Sequence, residues 1–456
     1  MERHSVDTPS EVRAPVGEQG SGRLPGRRRG HRAPALAAIF ILTIGLGACD
    51  FEVVNPGPTQ DAALDDPAAF RPLVTGMSQA LSAALWRVGL VGAEVAREYV
   101  QGGRIFTTKL PTTPGQLTRD DVSDAHWNTA QQARWVAEDG IRRFRESAAL
   151  DFGTSALAAE ALVHAGYANR LLGETFCEAV FDGGPALPGR AYFERAEAHL
   201  TEALGVAVAA GDEQLALAAR VGRASVRVHL DDWVGAEADA TGIPEDFVHQ
   251  ARFTNSELEQ YNIIYWSNAN SPFRTHSVVG TFYEGYYEST GDPRVAWDTD
   301  PAVPNAEIAT VPWLFQLKYQ SREDPINLAT GREARLILAE AALRRGEAEE
   351  ALGILNALRT SLTSDLDGQP LEPWPDTDDP VEVWGRLKAE RGIELWLEGR
   401  RLGDLRRWVA DGSPAEAVDV ADRIRLCFPI AESELEANPN LELQHPDPVS
   451  PAYVGG

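Results

Sequence analysis

Glu390-Arg391-Gly392-Ile393-Glu394-Leu395-Trp396-Leu397-Glu398-Gly399-Arg400-Arg401-Leu402-Gly403-Asp404-Leu405-Arg406-Arg407-Trp408 is the stretch that commits this chain to a helical architecture. Wound as a helix, it sets Glu390, Glu394 and Glu398 on one line with Arg391, Arg401 and Asp404 nearby, while Ile393, Trp396, Leu397 and Leu405 form an apolar stripe. Carboxylates at spacing four, interleaved with arginines, predict an ion-pair network on a helix surface rather than the acid and base of a hydrolase. The stretch reads as architecture.

The same grammar spreads outward on the N-terminal side. Ala, Leu, Glu and Arg dominate 126–149, 155–175, 190–210, 213–229, 232–240, 331–345, 347–362 and 380–410, with apolar residues three and four apart, so each is expected as a helix. Asp66-Pro67 supplies an N-cap and a first-turn proline for a helix running to about Val88. Two segments share a plan. In Leu217–Ala240, Gly222 and Ser225 are small, Leu230-Asp231-Asp232-Trp233 makes a turn, and Ala236 and Ala240 recur at spacing four. In Arg335–Arg359, Leu336, Ala339 and Leu343 precede Gly346, and Ala348, Leu352 and Leu355 follow it. Small residues that let antiparallel helices approach closely are the mark of tetratricopeptide-type units; a generic helical bundle is the plainer alternative, and the recurrence of the plan favours repeat pairs. On the C-terminal side, Ser433-x-x-Glu436 has the form of a capping box for a last short turn that Pro439 stops.

Residues 243–330 break this pattern with Pro, Gly, Asn and a crowd of aromatics: Tyr261, Tyr265, Trp266, Phe273, Phe282, Tyr283, Tyr286, Tyr287, Trp297, Trp313, Phe315 and Tyr319. Shorter irregular stretches run over 102–124 and 364–380. Long structureless segments in a compact chain are functional loops or disorder, and this aromatic content argues against disorder.

At the N-terminus, Arg23, Arg27, Arg28, Arg29 and Arg32 precede an apolar run from Ala35 to Leu46, which ends in Leu46-Gly47-Ala48-Cys49. A basic start, a core of about a dozen apolar residues and small residues before the cut have the order of a lipoprotein signal peptide, residues 1–48, with Cys49 as the lipidated residue. A diacylated, N-acylated cysteine would anchor the chain stably. Residues 49–65, rich in Pro, Asp and Gly, suit an extended tether, and 66–456 is expected as a single helical domain carrying the 243–330 insert.

Composition excludes several classes. The net charge is -26, and with seven arginines against four acids before Cys49 the mature chain stands at about -29. That charge opposes nucleic-acid binding. Of three cysteines, Cys177 and Cys427 remain after Cys49; whether they pair is left open by spacing alone. His164, His199, His229 and His276 have no partner at metal-ligand spacing, and Asp365-Leu366-Asp367-Gly368 lacks the later ligands of an EF-hand, so no metal and no cofactor is expected. No Ser/His/Asp grouping or phosphate loop is visible, and no enzymatic activity is expected.

The closing stretch from Glu390 to Trp408 resembles the SusD/RagB family of outer-membrane nutrient-binding lipoproteins. Further matches keep the family's order: Cys49 with Asn55-Pro56 soon after, Leu73-Val74-x-Gly76, Asp292-Pro293-Arg294-Val295, Leu338-Ala339-Glu340-Ala341, Leu355-Asn356-x-x-Arg359, and Phe428-Pro429-Ile430 leading to Asn438-Pro439-Asn440-Leu441. The resemblance implies a mostly α, SusD-like fold, with tetratricopeptide-like helix pairs as scaffold and a loop-rich ligand-binding face. It also implies a lipid-anchored protein of the outer membrane, facing the cell exterior, that hands oligosaccharide or peptide to a SusC-like, TonB-dependent barrel. The alternative is a periplasm-facing scaffold whose repeat groove binds proteins. A lipid-anchored glycosidase would need two carboxylates about 5–10 Å apart in an open cleft.

Sugars present flat C–H faces and many hydroxyls, so a glycan site needs aromatic platforms beside amide, acid or guanidinium partners. The densest such mixture is Trp266, Asn268, Asn270, Arg274, Tyr283, Tyr286, Tyr287 and Trp297, with a thinner cluster at Tyr99, Gln101 and Arg104. These residues are the expected ligand contacts.

Overall fold

The computed structural model describes residues 61–102, 121–268, 273–307, 311–414 and 426–442, all within the compact unit Pro58–Gly456. Cys49, Asn55-Pro56, Arg104 and Asn270 lie outside the described residues.

The helices are α1 (Phe70–Val95), α2 (Asp121–Glu146), α3 (Ala156–Thr175), α4 (Arg190–Ala210), α5 (Glu213–His229), α6 (Trp233–Ala240), α7 (Ile263–Trp266), α8 (Phe282–Thr290), α9 (Gly331–Arg344), α10 (Ala348–Thr360), α11 (Pro380–Glu394), α12 (Arg401–Asp411) and α13 (Glu432–Ala437). The chain is mostly helical, and consecutive helices pack on one another from α1 to α6 and from α9 to α11. Local chemistry sets where they begin. Asp66 accepts from the Ala68 N–H at 2.9 Å and Pro67 opens the turn that feeds α1. Asp212 caps α5, Asp232 caps α6 and Thr330 caps α9, each accepting from a backbone N–H three residues on at 2.9–3.0 Å. Small residues set how closely the pairs pack: a Cβ on Gly166 would fall 2.5 Å from Leu200, and one on Gly222 would fall 2.9 Å from Tyr167.

The predicted single helix over 380–410 is two helices. α11 stops at Glu394, Leu397 and Gly399 adopt left-handed backbone with φ of 59° and 73°, and α12 starts at Arg401. Leucine rarely accepts that conformation. Its N–H donates to the buried Glu98 carboxylate at 2.9 Å, and its side chain is wholly buried, so the surroundings hold the turn.

The charges of this segment are not on the surface either. Glu390, Arg391, Glu398, Arg400, Arg401 and Asp404 are all buried. Arg391 pairs with Asp404 at 3.0 Å, Arg400 with Glu174 and Glu333 at 3.0 and 2.8 Å, and Arg407 with Glu340 at 2.5 Å. From the insert, Arg294 reaches Glu390 and Glu394 at 2.6 and 2.8 Å. The reason is that both faces of this segment are covered: the Ile393, Trp396, Leu397 and Leu405 stripe is buried as expected, and the charged face meets α3, α9 and the insert. Buried charge survives only when paired, and Arg400 and Arg407 hold the Glu174 and Glu340 carboxyls down at about 2 despite the opposing effect of burial.

Cys177 and Cys427 form a disulfide across a sequence separation of 250. Beside it the Cys177 N–H donates to the Phe428 carbonyl and the Phe428 N–H to the Thr175 carbonyl, stitching the C-terminal segment to the end of α3. The predicted capping box at Ser433 does not form. Ala431 occupies the N-cap of α13, and the Ser433 N–H donates to Asp124 instead, because α13 is placed by packing on α2.

Among the described residues, eight short strands make four antiparallel pairs: β1 (Val100–Gln101) with β5 (His276–Ser277), β2 (Glu178–Ala179) with β3 (Leu187–Pro188), β4 (Val248–Ala251) with β8 (Ile326–Thr330), and β6 (Trp297–Thr299) with β7 (Leu314–Gln316). The β4–β8 pair closes the base of the loop insert just before α9, so the insert leaves and re-enters the scaffold at one point.

Candidate functional site

Within the insert, α7 and the β6–β7 pair enclose a pocket of about 290 Å³. Tyr265 lies in α7 and Asn268 just after it, Asp300 follows β6, Trp313 immediately precedes β7, and Phe315, Gln316, Leu317, Tyr319 and Gln320 come from β7 and the turn after it. The Trp313 and Phe315 rings lie 4.4 Å apart, tilted by 36°, Trp313 immediately before β7 and Phe315 within it. Phe315 and Tyr265 are partly exposed. This is an aromatic wall with amide and carboxylate groups beside it.

The pocket is fixed from behind. Gln316 and Tyr319 exchange two hydrogen bonds of 2.7 Å, the Gln316 amide donating to the Tyr319 carbonyl and the Tyr319 N–H to the Gln316 side-chain oxygen. The Tyr319 hydroxyl donates to the Leu397 carbonyl at 3.2 Å, and the Lys318 ammonium donates to the Trp396 carbonyl at 2.7 Å and to Glu398 at 2.8 Å. The left-handed turn in the closing segment is therefore the socket that holds the pocket wall. Asn268 sits at the inner end. A 2.5 Å approach of its amide to the His276 carbonyl is tolerable only with nitrogen on that side, and in that orientation the amide oxygen accepts from the Gln316 N–H and the Tyr99 hydroxyl, both at 3.3 Å.

Of the predicted contact residues that are described, Asn268 lines the pocket and the others do not. Tyr99 is fully buried between His276 and Trp396, at centroid distances of 5.5 and 6.1 Å. Tyr283 stacks on Trp396 at 5.2 Å and its hydroxyl donates to the Gly392 carbonyl, while the Tyr286 hydroxyl donates to Asp292. Burial pushes the hydroxyls of Tyr99 and Tyr283 well up from the usual tyrosine range. These rings are core: Tyr99 and Tyr283 pack on Trp396 just past α11, and the Tyr286 hydroxyl is held by Asp292 and Arg359. Trp266 is half-buried edge-on to Phe273 at 4.5 Å. Arg274 is half-buried in left-handed backbone, its carbonyl accepting from Glu307. Tyr287 and Trp297 are half-buried neighbours at 6.0 Å, the Tyr287 hydroxyl donating to Asp365 and the Trp297 indole to the Glu284 carbonyl. The pocket aromatics Tyr265, Trp313, Phe315 and Tyr319 belong to the crowd read from the sequence, but the sequence reading did not choose them as contacts; the two-residue spacing of Trp313 and Phe315 is the one local signal that they share a face.

Two constellations look catalytic by residue type. Ser267, His276 and Glu94 line up, with Ser267 Oγ 3.4 Å from His276 Nδ1 and His276 Nε2 2.7 Å from Glu94 Oε1. All three are buried, His276 and Glu94 completely, so no substrate carbonyl has a path to the hydroxyl. The Glu390 and Glu394 carboxylates are locked onto Arg294 rather than facing a cleft. Among the described residues no group of three or more His, Cys, Asp or Glu is placed to hold a metal ion, and no helix is long and apolar enough to cross a membrane.

Residues 333–447 match the sequence model of the SusD family. No curated protein matches the chain. Among solved structures, the fold is similar to a SusD/RagB family protein from Bacteroides thetaiotaomicron at 14% identity, covering 81% of this chain and 94% of that one with a TM-score of 0.60. It is similar to a SusD-like carbohydrate-binding protein from Bacteroides vulgatus at 15% identity, with 83% and 98% covered and a TM-score of 0.57. It is also similar to a laminarin-binding SusD-like protein at 14% identity, with 81% and 98% covered and a TM-score of 0.54.

Proposed function

We propose that this chain, which has the SusD/RagB fold and the SusD family's closing segment, is a lipid-anchored binding protein. In this reading it captures neutral oligosaccharide at the outer membrane, on the exterior side, and delivers it to a TonB-dependent barrel without making or breaking bonds. The observation that carries the ligand class is the pocket in the loop insert. Partly exposed rings offer C–H stacking, and Gln320 and Asp300 at the rim offer hydrogen-bonding groups to hydroxyls, while the buried amides of Asn268 and Gln316 hold the inner wall. Asp300 is its one carboxylate among the described lining residues, which suits binding better than hydrolysis by a carboxylate pair. Laminarin and carbohydrate binding by structural neighbours supports the same class. Cys49 as the anchor and residues 1–48 as a cleaved signal complete the reading.

Screening the full mature chain on an array of neutral oligosaccharides, with Phe315→Ala and Tyr265→Ala alongside, tests it. Binding that falls about tenfold in either variant is expected, the worth of one lost stacking platform. No binding by the parent chain, or binding unchanged in both variants, overturns the assignment. Protease shaving of intact cells separates this reading from the periplasmic scaffold, because only an exterior protein is cut.

A further inference from the structure

α2 carries two tryptophans with opposite fates. Trp127 belongs to the buried stripe with Ala130, Ala133, Ala137, Ile141 and Phe144, packs edge-on to Phe176 at 4.9 Å, and donates its indole N–H to Glu434. Trp135 lies off that stripe and is 53% exposed, so packing does not account for it. It lines a second pocket, of about 340 Å³, bounded by α2, the turn at 180–183 and α13. None of these residues belongs to the pocket in the insert.

We propose that this pocket is a second carbohydrate subsite, with the Trp135 indole as its platform; the proposal rests on the glycan-binding reading above. The surroundings are those of a polyol site. Asn128, Gln132, Asp182 and Glu434 line the pocket together with Trp135, and the buried Arg134 lies beneath them. Arg134 is 3% exposed and is neutralised in place, donating to Glu138 at 2.7 Å and to Asp182 at 2.9 Å, so the pocket carries no spare positive charge for an anionic ligand. The far wall is held before any ligand arrives. Asp182 sits in left-handed backbone with φ of 52°, gripped by Arg134, and the carbonyls of Gly183 and Gly184 accept from Asn440 at 2.7 Å and Asn438 at 2.8 Å. A wall already ordered lowers the entropic cost of binding. A protein partner would want more than one exposed apolar anchor, and the other apolar lining residue, Val180, is 2% exposed. A polymer that engaged both subsites at once would gain avidity from two weak contacts.

The test is affinity electrophoresis of the full mature chain in gels containing laminarin, soluble starch, arabinoxylan or galactomannan. The variants are Trp135→Ala, Phe315→Ala and the double, with Trp135→Phe as the variant that keeps a ring. We expect Trp135→Ala to weaken retention about tenfold in the polysaccharide that retards the parent, Trp135→Phe to restore most of it, and the double variant to run unretarded. Thermal melts of Trp135→Ala should superimpose on the parent, since an exposed ring contributes little to folding. Unchanged retention of Trp135→Ala with loss in Phe315→Ala overturns the second subsite and leaves the first. Unchanged retention of every variant, or no retardation of the parent by any of the four, overturns both.

Discussion

The closing segment and the loop insert have exchanged the environments that their compositions advertise. Residues 390–408 are dense in charge and are buried; residues 263–297 are dense in aromatic rings, and the rings expected to meet ligand are mostly core or half-core. The difference lies in what each region packs against. The closing segment is covered on every side by α3, α9 and the insert, and each of those supplies a countercharge. The insert packs one face on that same segment, which takes Tyr99, Tyr283, Tyr286 and Tyr319 into the interior and leaves Tyr265 and Phe315 at its edge. Residue type says what a group requires, and topology decides whether water or protein meets the requirement.

The sharpest way to break this comparison is at Arg294, which joins the two regions. Arg294→Ala leaves Asp292, Glu390 and Glu394 in the interior without their shared cation. Removing one partner of a buried pair costs about 3–5 kcal/mol, so the variant should unfold at much lower denaturant. A shift worth below about 1 kcal/mol would return these charges to the surface role read from their spacing. Next in size is the disulfide. Cys177→Ala with Cys427→Ala removes a cross-link between residues 250 apart, and a loss of about 2–5 kcal/mol in unfolding stability is expected. An unchanged midpoint would mean that the neighbouring backbone hydrogen bonds and the Phe176–Phe428 ring contact carry the joint without the cross-link.

The scaffold was largely legible before the structure. Asp66, Asp212, Asp232 and Thr330 cap helices where polar residues precede apolar periodicity, and the small residues Gly166 and Gly222 mark close helix crossings. The break at Leu397 was not legible, because a leucine in left-handed backbone is held by Glu98, almost 300 residues away in sequence at a separation of 299. The buried ion pairs were hidden for the same reason: Glu174 lies 226 residues from Arg400. In the candidate site, Asn268 alone among the described residues chosen from the sequence lines the pocket in the insert. Aromatic density shows that rings cluster, but which ring faces the core depends on how the insert packs on the closing segment. Pairing of Cys177 with Cys427 likewise depends on where α3 ends.

Glu98 offers a pH-dependent probe of the buried side. Burial is the largest influence on it and pushes its carboxyl up to about 7, from an ordinary 4.5, against the opposing pull of the Leu397 N–H, Arg401 and Lys318. An acid with a raised value in the folded state stabilises the fold below about pH 4.5 relative to higher pH, and that contribution is lost as pH rises through about 7. Glu98→Gln removes the titration. Its melting temperature relative to the parent should therefore be higher at pH 8 than at pH 5, by an amount corresponding to about 3 kcal/mol at most. Parallel pH profiles for the two proteins would show that the Leu397 turn is not built around a protonatable group.

The smallest expected effect decides the most about function. Phe315 is partly exposed, so Phe315→Ala should cost little stability, under about 1 kcal/mol, while weakening glycan binding about tenfold, or about 1.4 kcal/mol. Tyr283 is 3% exposed against Trp396, so Tyr283→Ala should open a cavity costing about 3–5 kcal/mol and leave the affinity of the molecules that remain folded unchanged. Measuring melting and titrated binding on both variants separates the two effects. If Tyr283→Ala lost affinity per folded molecule while Phe315→Ala kept it, ligand would be meeting α8 and not the β6–β7 wall, and the aromatics chosen by density would have been the right ones after all.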